Sequence, residues 1–452
     1  MPISKKRRRE TSSGTKLERL ELLLDRLVEI PEDWVKEEGS NNSGGDVQCL
    51  DCTSYEDMID AWGKALKWTD GLDCALSVML ASITSTLSVG DPLWVKIISP
   101  PSGGKSVLCE ALSVNRYHVI AKSTLRGFHS GFGDGQEDHS LISKVNGKTL
   151  VMKDGDTLLQ SPNLSQILSE GRDLYDGASR TSYRNKASKD YTGLRMTWIL
   201  CGTSSLRSID SSELGERFLD CVIMDGIDEE LEEEILDRVV TQAMSEIETE
   251  ADGTPETQQS PEKTYAMGLT GGYIDFLKRD TQKKLSRVKT PQWALDRCKY
   301  LAKFVAILRA RPSKLQDEKV EREIAGRIAS QLVRLMRCLA FVLNKKEVDK
   351  EVIRRVTKVA TDTARGKTFE IIKILLKEKQ ATPKNISMMM GSATASEVAK
   401  TSATLRFLRA LGVTIIKPVK LNGVKNRSGV PMWRLEPKMK ELFTQVMEGT
   451  DA

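Results

Sequence analysis

The chain has 452 residues, enough for two or three domains that each bury a core of their own. Charged residues make up 29% of it and aromatic ones 5%, the balance of a helix-rich soluble protein, and a net charge of +5 is too small to name a partner, so charge has to be read locally. No apolar run reaches the length of a membrane span, and the basic start "MPISKKRRRE" lacks the apolar stretch of a signal peptide, so a cytoplasmic protein with no membrane partner is expected. Eight cysteines in a chain this long do not form a disulfide scaffold. Cys49 and Cys52 make one C-x-x-C without a second pair to complete a zinc site, and His118, His129 and His139 have no metal or catalytic spacing.

Residues 1–46 read as a basic tail, a short amphipathic helix ("LERLELLLDRLVEI") and a linker ("EEGSNNSGGD"); "KKRRR" fits a nuclear import signal as well as a DNA-binding tail. From Tyr55, "YEDMIDAWGKALKW" and "DGLDCALSVMLASITSTL" predict two helices leading into the strand "LWVKIIS". Strand-like and helix-like runs then alternate as far as "FLDCVIMDG", which predicts an α/β core with a mainly parallel sheet over 47–225. A helical bundle is expected over 226–365, interrupted by an acidic, mobile insertion at about 244–262. Residues 366–452 differ in character: three helical runs precede two β-type runs around an N-G and S-G rich loop, the pattern of a winged helix.

Between the first strand and the next helix stands "SPPSGGKSVL". It matches a phosphate-binding loop except that Ser99 occupies the leading glycine. In such a loop Ser102, Gly103 and Gly104 let the backbone N–H groups wrap phosphates, Lys105 reaches the outer ones, and Ser106 helps to hold Mg2+. A second element, "GKTLVMKDGDTLL", is a hydrophobic strand ending in Asp154, the natural partner of the metal-bound water. The glutamate that usually follows is replaced by Gly155, so the water-activating base is open among Asp156, Glu170 and Asp173. A third strand, "MTWILCGTSS", ends in Thr203, placed to sense a γ-phosphate, and "SSELGERFLDCVI" puts Arg217 at the boundary between a short helix and a strand, where it would reach a neighbour's γ-phosphate if subunits form a ring.

In their order, "GDPLWVKIISPPSGGKS", "LVMKD", "RDLYDGASRTSYRNK", "WILCGTSS" and "ELGERFL" resemble the AAA+ ATPases of bacteriophages and mobile elements, which are similar to replicative helicases of the minichromosome-maintenance type. The resemblance covers Asp70 to Cys221 and, more weakly, the following helices, where "EIAGRIASQLVRLMRCLAFVLNKKEV" matches a segment carrying a second sensor arginine at Arg327. It implies an α/β fold made of an AAA+ P-loop core with N-terminal helices, a helical lid and a C-terminal winged-helix domain. It also implies ATP and Mg2+ as cofactors, a homo-hexameric ring, replication proteins as further partners and, for a phage-encoded chain, the host cytoplasm.

The segment "DLYDGASRTSYRNKASKDYTGLRM" groups Arg180, Arg184, Lys186 and Lys189 around a turn at Asn185, with Tyr183 able to stack on a base. In the helicases it resembles, a hairpin here projects into the channel and grips DNA. A glycine-rich loop carrying Phe128 and Phe132 is either a second channel loop or anchored to the core. From Lys367 onward there are about 15 Lys and Arg against about 7 Asp and Glu, which favours duplex DNA at Lys400, Arg406 and Arg409 on the third helix and at Lys425 and Arg427 in the wing. The expected function is an ATP-driven ring motor on single- and double-stranded DNA, a replicative helicase of a phage or mobile element. The alternative is an ATP-switched DNA-binding initiator, loader or regulator with low turnover.

Overall fold

A computed structural model describes residues 47–130, 138–182, 188–211, 217–224, 229–249, 260–310, 324–364, 366–419 and 430–448, all within one compact unit. The N-terminal tail and helix expected over 1–46 lie outside these residues.

Two helices open the described chain, α1 (Tyr55–Ala65) and α2 (Asp70–Ser85). Ser54 and Thr69 cap them, each side-chain oxygen accepting a first-turn N–H, from Asp57 and Leu72. Then come β1 (Trp94–Ile98), α3 (Lys105–Ser113), β2 (Val119–Lys122), α4 (Leu141–Val145), β3 (Thr149–Met152), α5 (Asp156–Leu159) and α6 (Leu164–Tyr175). A hairpin, β4 (Ala178–Ser182) and β5 (Ser188–Thr192), precedes β6 (Thr197–Gly202), a 3-10 helix (Ser204–Ser211) and β7 (Phe218–Val222).

Five of these strands form one parallel sheet in the order β2-β3-β6-β1-β7. Helical crossovers cover both faces of a parallel sheet, so its strands read as unbroken apolar runs instead of alternating. Accordingly β1, β3, β6 and β7 are buried at every residue. Successive side chains still point to opposite faces. Val95 and Ile97 join the larger core with α1, α2 and α3, whereas Trp94 joins a second core with Trp198, Phe128 and Phe218.

One pair inside the sheet breaks the apolar pattern. Lys96 of β1 stands opposite Asp220 of β7 in register, and its Nζ lies 3.1 Å from Asp220 Oδ1, both side chains almost wholly buried. Arg207 of the 3-10 helix approaches the same carboxylate at 3.8 Å. Buried charges persist only when paired in this way.

Beyond the sheet lie α7 (Glu229–Thr249), α8 (Pro261–Lys278), α9 (Thr281–Ser286), α10 (Gln292–Arg309), α11 (Gly326–Val342) and α12 (Lys350–Ala364). Of the acidic insertion expected at about 244–262, residues 244–249 belong to a helix and 261–262 open the next one. Helix α7 continues to Thr249, glutamates in its first turn complementing the helix dipole, and α8 starts at Pro261 with Ser260 accepting Lys263 N–H. Residues 250–259 lie outside the described chain. Helix α8 packs on α1 and α3. Trp62 donates to Thr270 and Asn115 to the Gly271 carbonyl, so α8 shares the core of the sheet domain.

Helix α12 covers the outer edge of β7. Thr363 Oγ1 accepts Asp220 N–H at 2.9 Å and Asp362 accepts Val222 N–H at 2.8 Å, which blunts a sheet edge that would otherwise invite pairing. The C-terminal part consists of α13 (Lys367–Glu378), α14 (Pro383–Met389), α15 (Ala395–Ala410), an antiparallel hairpin of β8 (Thr414–Val419) and β9 (Val430–Leu435), and α16 (Pro437–Glu448). It joins the preceding helices through apolar contact. Phe304 of α10 meets Phe369 and Phe443 at ring distances of 5.7 and 5.6 Å, and Arg297 donates to the Val446 carbonyl.

Candidate functional site

The loop after β1 turns tightly. Gly103 N–H bonds the Pro100 carbonyl, Ser102 and Gly104 both have positive φ (62 and 84), and α3 starts at Gly104 with no side chain capping it. A Cβ on Gly103 would lie 1.9 Å from Ser99 Oγ, so the serine hydroxyl fills the space that a side chain at 103 would need. The departure at Ser99 is thus accommodated by the glycine four residues on. A Cβ on Gly104 would meet Leu72 at 2.6 Å.

Lys105 folds back, its Nζ donating to the carbonyls of Ser99 (2.7 Å) and Pro100 (2.6 Å). Burial lowers its pKa, countered by the nearby Cys201, Asp156, Cys109 and Asp154. Ser106 and Asp154 are exposed. Uncapped first-turn N–H groups, a lysine beside them and an exposed Ser/Asp pair form a donor set suited to a phosphate chain with a hard divalent cation.

Strand β6 lies between β1 and β3, so Thr203 emerges next to both the loop and the acidic strand. Asp156 accepts Thr203 N–H at 2.8 Å and Thr203 Oγ1–H at 3.1 Å. Two glycines make room for this. A Cβ on Gly202 would come within 3.1 Å of Asp156 Oδ1 and 2.8 Å of Leu206, and one on Gly155 within 3.1 Å of Leu206 and 3.2 Å of the Cys201 carbonyl. Gly155 has ordinary helical angles, so a side chain there meets tight packing, not backbone strain, and Leu206 would have to give by a few tenths of an ångström to admit one.

The three carboxylates left open by spacing separate in space. Asp156 and Asp154 act on Lys105, whereas Glu170 accepts Phe128 N–H and Gln166 Nε2–H, and Glu170 and Asp173 both bear on His129. Phe128 is fully buried in the second core and so anchors its loop; Phe132 lies outside the described residues.

Arg217 and Arg327 sit at the other end of the sheet. Arg217 precedes β7, is 6% exposed, pairs with both oxygens of Asp176 (3.0 and 2.9 Å) and lies over the Tyr175 ring. Gln331 of α11 donates to the Arg217 carbonyl and to Tyr175 Oη. Arg327, one turn earlier on α11, is exposed, and its charge reaches Tyr175. The fold brings the two arginines together away from Lys105, with only Arg327 open to solvent.

On the hairpin, Arg180 pairs with Asp190 at 2.9 Å, and Lys189 donates to Asp138 (2.6 Å) and Ser140 (3.1 Å). Tyr191 also donates to Asp138; against a burial that would raise it, these hydrogen bonds hold the Asp138 carboxyl below the usual range. Tyr183, Arg184, Asn185 and Lys186 lie outside the described residues, as do Lys425 and Arg427. On α15, Lys400, Arg406 and Arg409 are exposed, Lys400 bonded to Glu397 at 2.7 Å. Spacing could not have found Asp138 or the Lys96–Asp220 pair, since nothing local marks residues that meet only after folding.

No protein-family model matches the chain, and a comparison with curated proteins likewise found no match.

Proposed function

We propose that the protein is an ATPase that assembles into a ring and moves on DNA, a replicative helicase of a phage or mobile element. The observation that carries the reading is the convergence of Lys105, Asp154, Asp156 and Thr203 at the carboxyl ends of adjacent parallel strands, where such sheets bind ligands. In this reading Gly103, Gly104 and the first turn of α3 cradle the phosphates, and Ser106 and Asp154 hold Mg2+. Bound ATP with Mg2+ supplies a phosphoryl group whose transfer to water is downhill. Lys105 leaves the Ser99 and Pro100 carbonyls to meet the outer phosphates. Asp156, oriented by Thr203, accepts a proton from the attacking water.

Arg327 reaches a neighbouring subunit's nucleotide, with Arg217 positioning its surroundings through Gln331. The basic hairpin takes single-stranded DNA through Arg180, Arg184 and Lys186, while Lys189 ties its base to Asp138 and Ser140. The last three helices and hairpin form a winged helix that engages duplex DNA through Lys400, Arg406, Arg409, Lys425 and Arg427, in the cytoplasm of a host cell.

A second reading, an ATP-switched DNA-binding loader or regulator of low turnover, is favoured by the crowded position at Gly155. Steady-state hydrolysis with and without single-stranded DNA separates the two. DNA-stimulated turnover that Lys105→Ala abolishes and Arg184→Ala uncouples supports the motor, and tight ATP binding with negligible turnover supports the switch.

A further inference from the structure

Two helices carry exposed apolar side chains gathered on one face, and their charges are opposite. On α7, Leu236, Val239, Val240 and Met244 are 49–59% exposed. This helix is held by its other face, where Arg238 donates to the Gly63 and Lys64 carbonyls and Glu234 pairs with Lys67. At about 100° per residue, Glu234 and Arg238 fall on one side, and Glu229, Glu233, Leu236, Val240 and Met244 share a sector about 80° wide on the opposite side. On α10, Trp293 (49% exposed) and Tyr300 (43%) share the outer face with Lys303 and with Lys299, which pairs with Asp296 of the same face at 2.8 Å, while Cys298, Leu301 and Val305 face the core.

We propose that a second copy of this chain docks here, its α10 laid antiparallel on α7 of the first. Glu233 to Met244 spans about 16 Å and Lys303 to Trp293 about 15 Å. In this register Glu233 meets Lys303, Leu236 meets Tyr300 and Met244 meets Trp293, a thioether on an aromatic ring. Charge complementarity selects the second copy over a nucleic acid: the α7 face carries Glu229 and Glu233, the α10 face keeps a net positive charge on Lys303 after Asp296 pairs with Lys299, and each chain carries both faces. The two patches differ, so the contact is heterologous and builds a closed ring or a filament.

Their positions agree with this. Helix α7 leaves the carboxyl end of β7, the sheet edge of the Lys105 loop, and Arg309 in the last turn of α10 donates to the Phe218 carbonyl at the opposite end of β7, beside Arg217. The contact leads from the loop edge of one copy toward the arginine edge of the next. This inference rests on the ring-forming part of the proposed function and is independent of turnover.

The test is mass photometry and sedimentation velocity of the full chain over a range of concentrations, with Mg2+ and a non-hydrolysable ATP analogue and without them. Wild type is expected to assemble. Lys299→Glu with Lys303→Glu, and separately Glu229→Lys with Glu233→Lys, are each expected to weaken assembly at least about tenfold, as is Trp293→Ala. Mixing the two reversed proteins, or combining all four reversals in one chain, is expected to restore it, which also shows that the variants fold. Assembly that ignores both reversals overturns the interface and leaves the ring reading standing. A wild type that stays monomeric with the analogue overturns both. If Lys299→Glu with Lys303→Glu loses single-stranded DNA without any change in size, the α10 face belongs to nucleic acid and the proposal falls.

Discussion

Replacing Asp156 by asparagine separates catalysis from binding more sharply than any other single change. The carboxylate accepts two hydrogen bonds from Thr203, at 2.8 and 3.1 Å. The amide keeps the shape and one acceptor oxygen, so the loss is the difference between charge-assisted and neutral hydrogen bonds, about 1 kcal/mol. A loss of that size moves Tm by only about 2 °C in a chain this large, and the site stays folded. Loss of a general base costs about 100-fold to 10000-fold in turnover.

Nucleotide affinity is expected to hold or tighten, since one negative charge leaves the neighbourhood of Lys105. Phosphate release in the presence of single-stranded DNA, beside titration of a fluorescent ATP analogue, reads both quantities. Gly155→Glu is the companion experiment: with a Cβ 3.2 Å from the Cys201 carbonyl, it is expected to cost about 1–3 kcal/mol of stability and to leave turnover no higher. The reasoning is refuted if Asp156→Asn keeps turnover within about threefold of wild type, or if Asp173→Asn removes it instead.

Lys96→Met removes the buried counter-charge closest in register to the Asp220 carboxylate, with Arg207 left at 3.8 Å, and is expected to lower unfolding free energy by about 3 kcal/mol, most of it regained in Lys96→Met with Asp220→Leu; denaturant titration followed by tryptophan fluorescence reads both. Burial, with Arg195 nearby, pulls the Lys278 pKa down to about 8. The folded state therefore sheds that proton before the unfolded state does, so the penalty is complete below pH 8 and fades toward the unfolded value near 10.5. Lys278→Met is then expected to raise Tm at pH 7 and to lose that advantage in a melt near pH 10. Lys189 is engaged by Asp138, so Lys189→Ala is expected to leave the salt dependence of DNA binding nearly unchanged, whereas Arg406→Ala lowers the slope by about one.

The elements that sequence reveals best are those whose signals are local. The strands "LWVKIIS", "TLVM" and "TWILCG" are apolar runs bounded by loops, and Thr382 before Pro383 announces its helix by accepting Asn385 N–H. The insertion expected at about 244–262 begins too early, because local acidity does not tell the exposed end of a helix from a loop and α7 runs to Thr249.

What sequence cannot assign is a charged residue's partner, and here partners decide roles. Arg217 reads as a residue waiting for a neighbour until Asp176 and Tyr175, supplied by α6, take hold of it. The exposed arginine on that edge is Arg327, brought there by α11 through Gln331. Spacing left Asp156, Glu170 and Asp173 equal, and they parted only when β6 was inserted between β1 and β3, which put Thr203 against Asp156 and left Glu170 to cap Phe128. The missing glutamate and the early aspartate thus follow from one cause. Leu206 and the Cys201 carbonyl crowd the space at 155, and the carboxylate that meets Thr203 arrives from Asp156 through the notch that Gly202 leaves open.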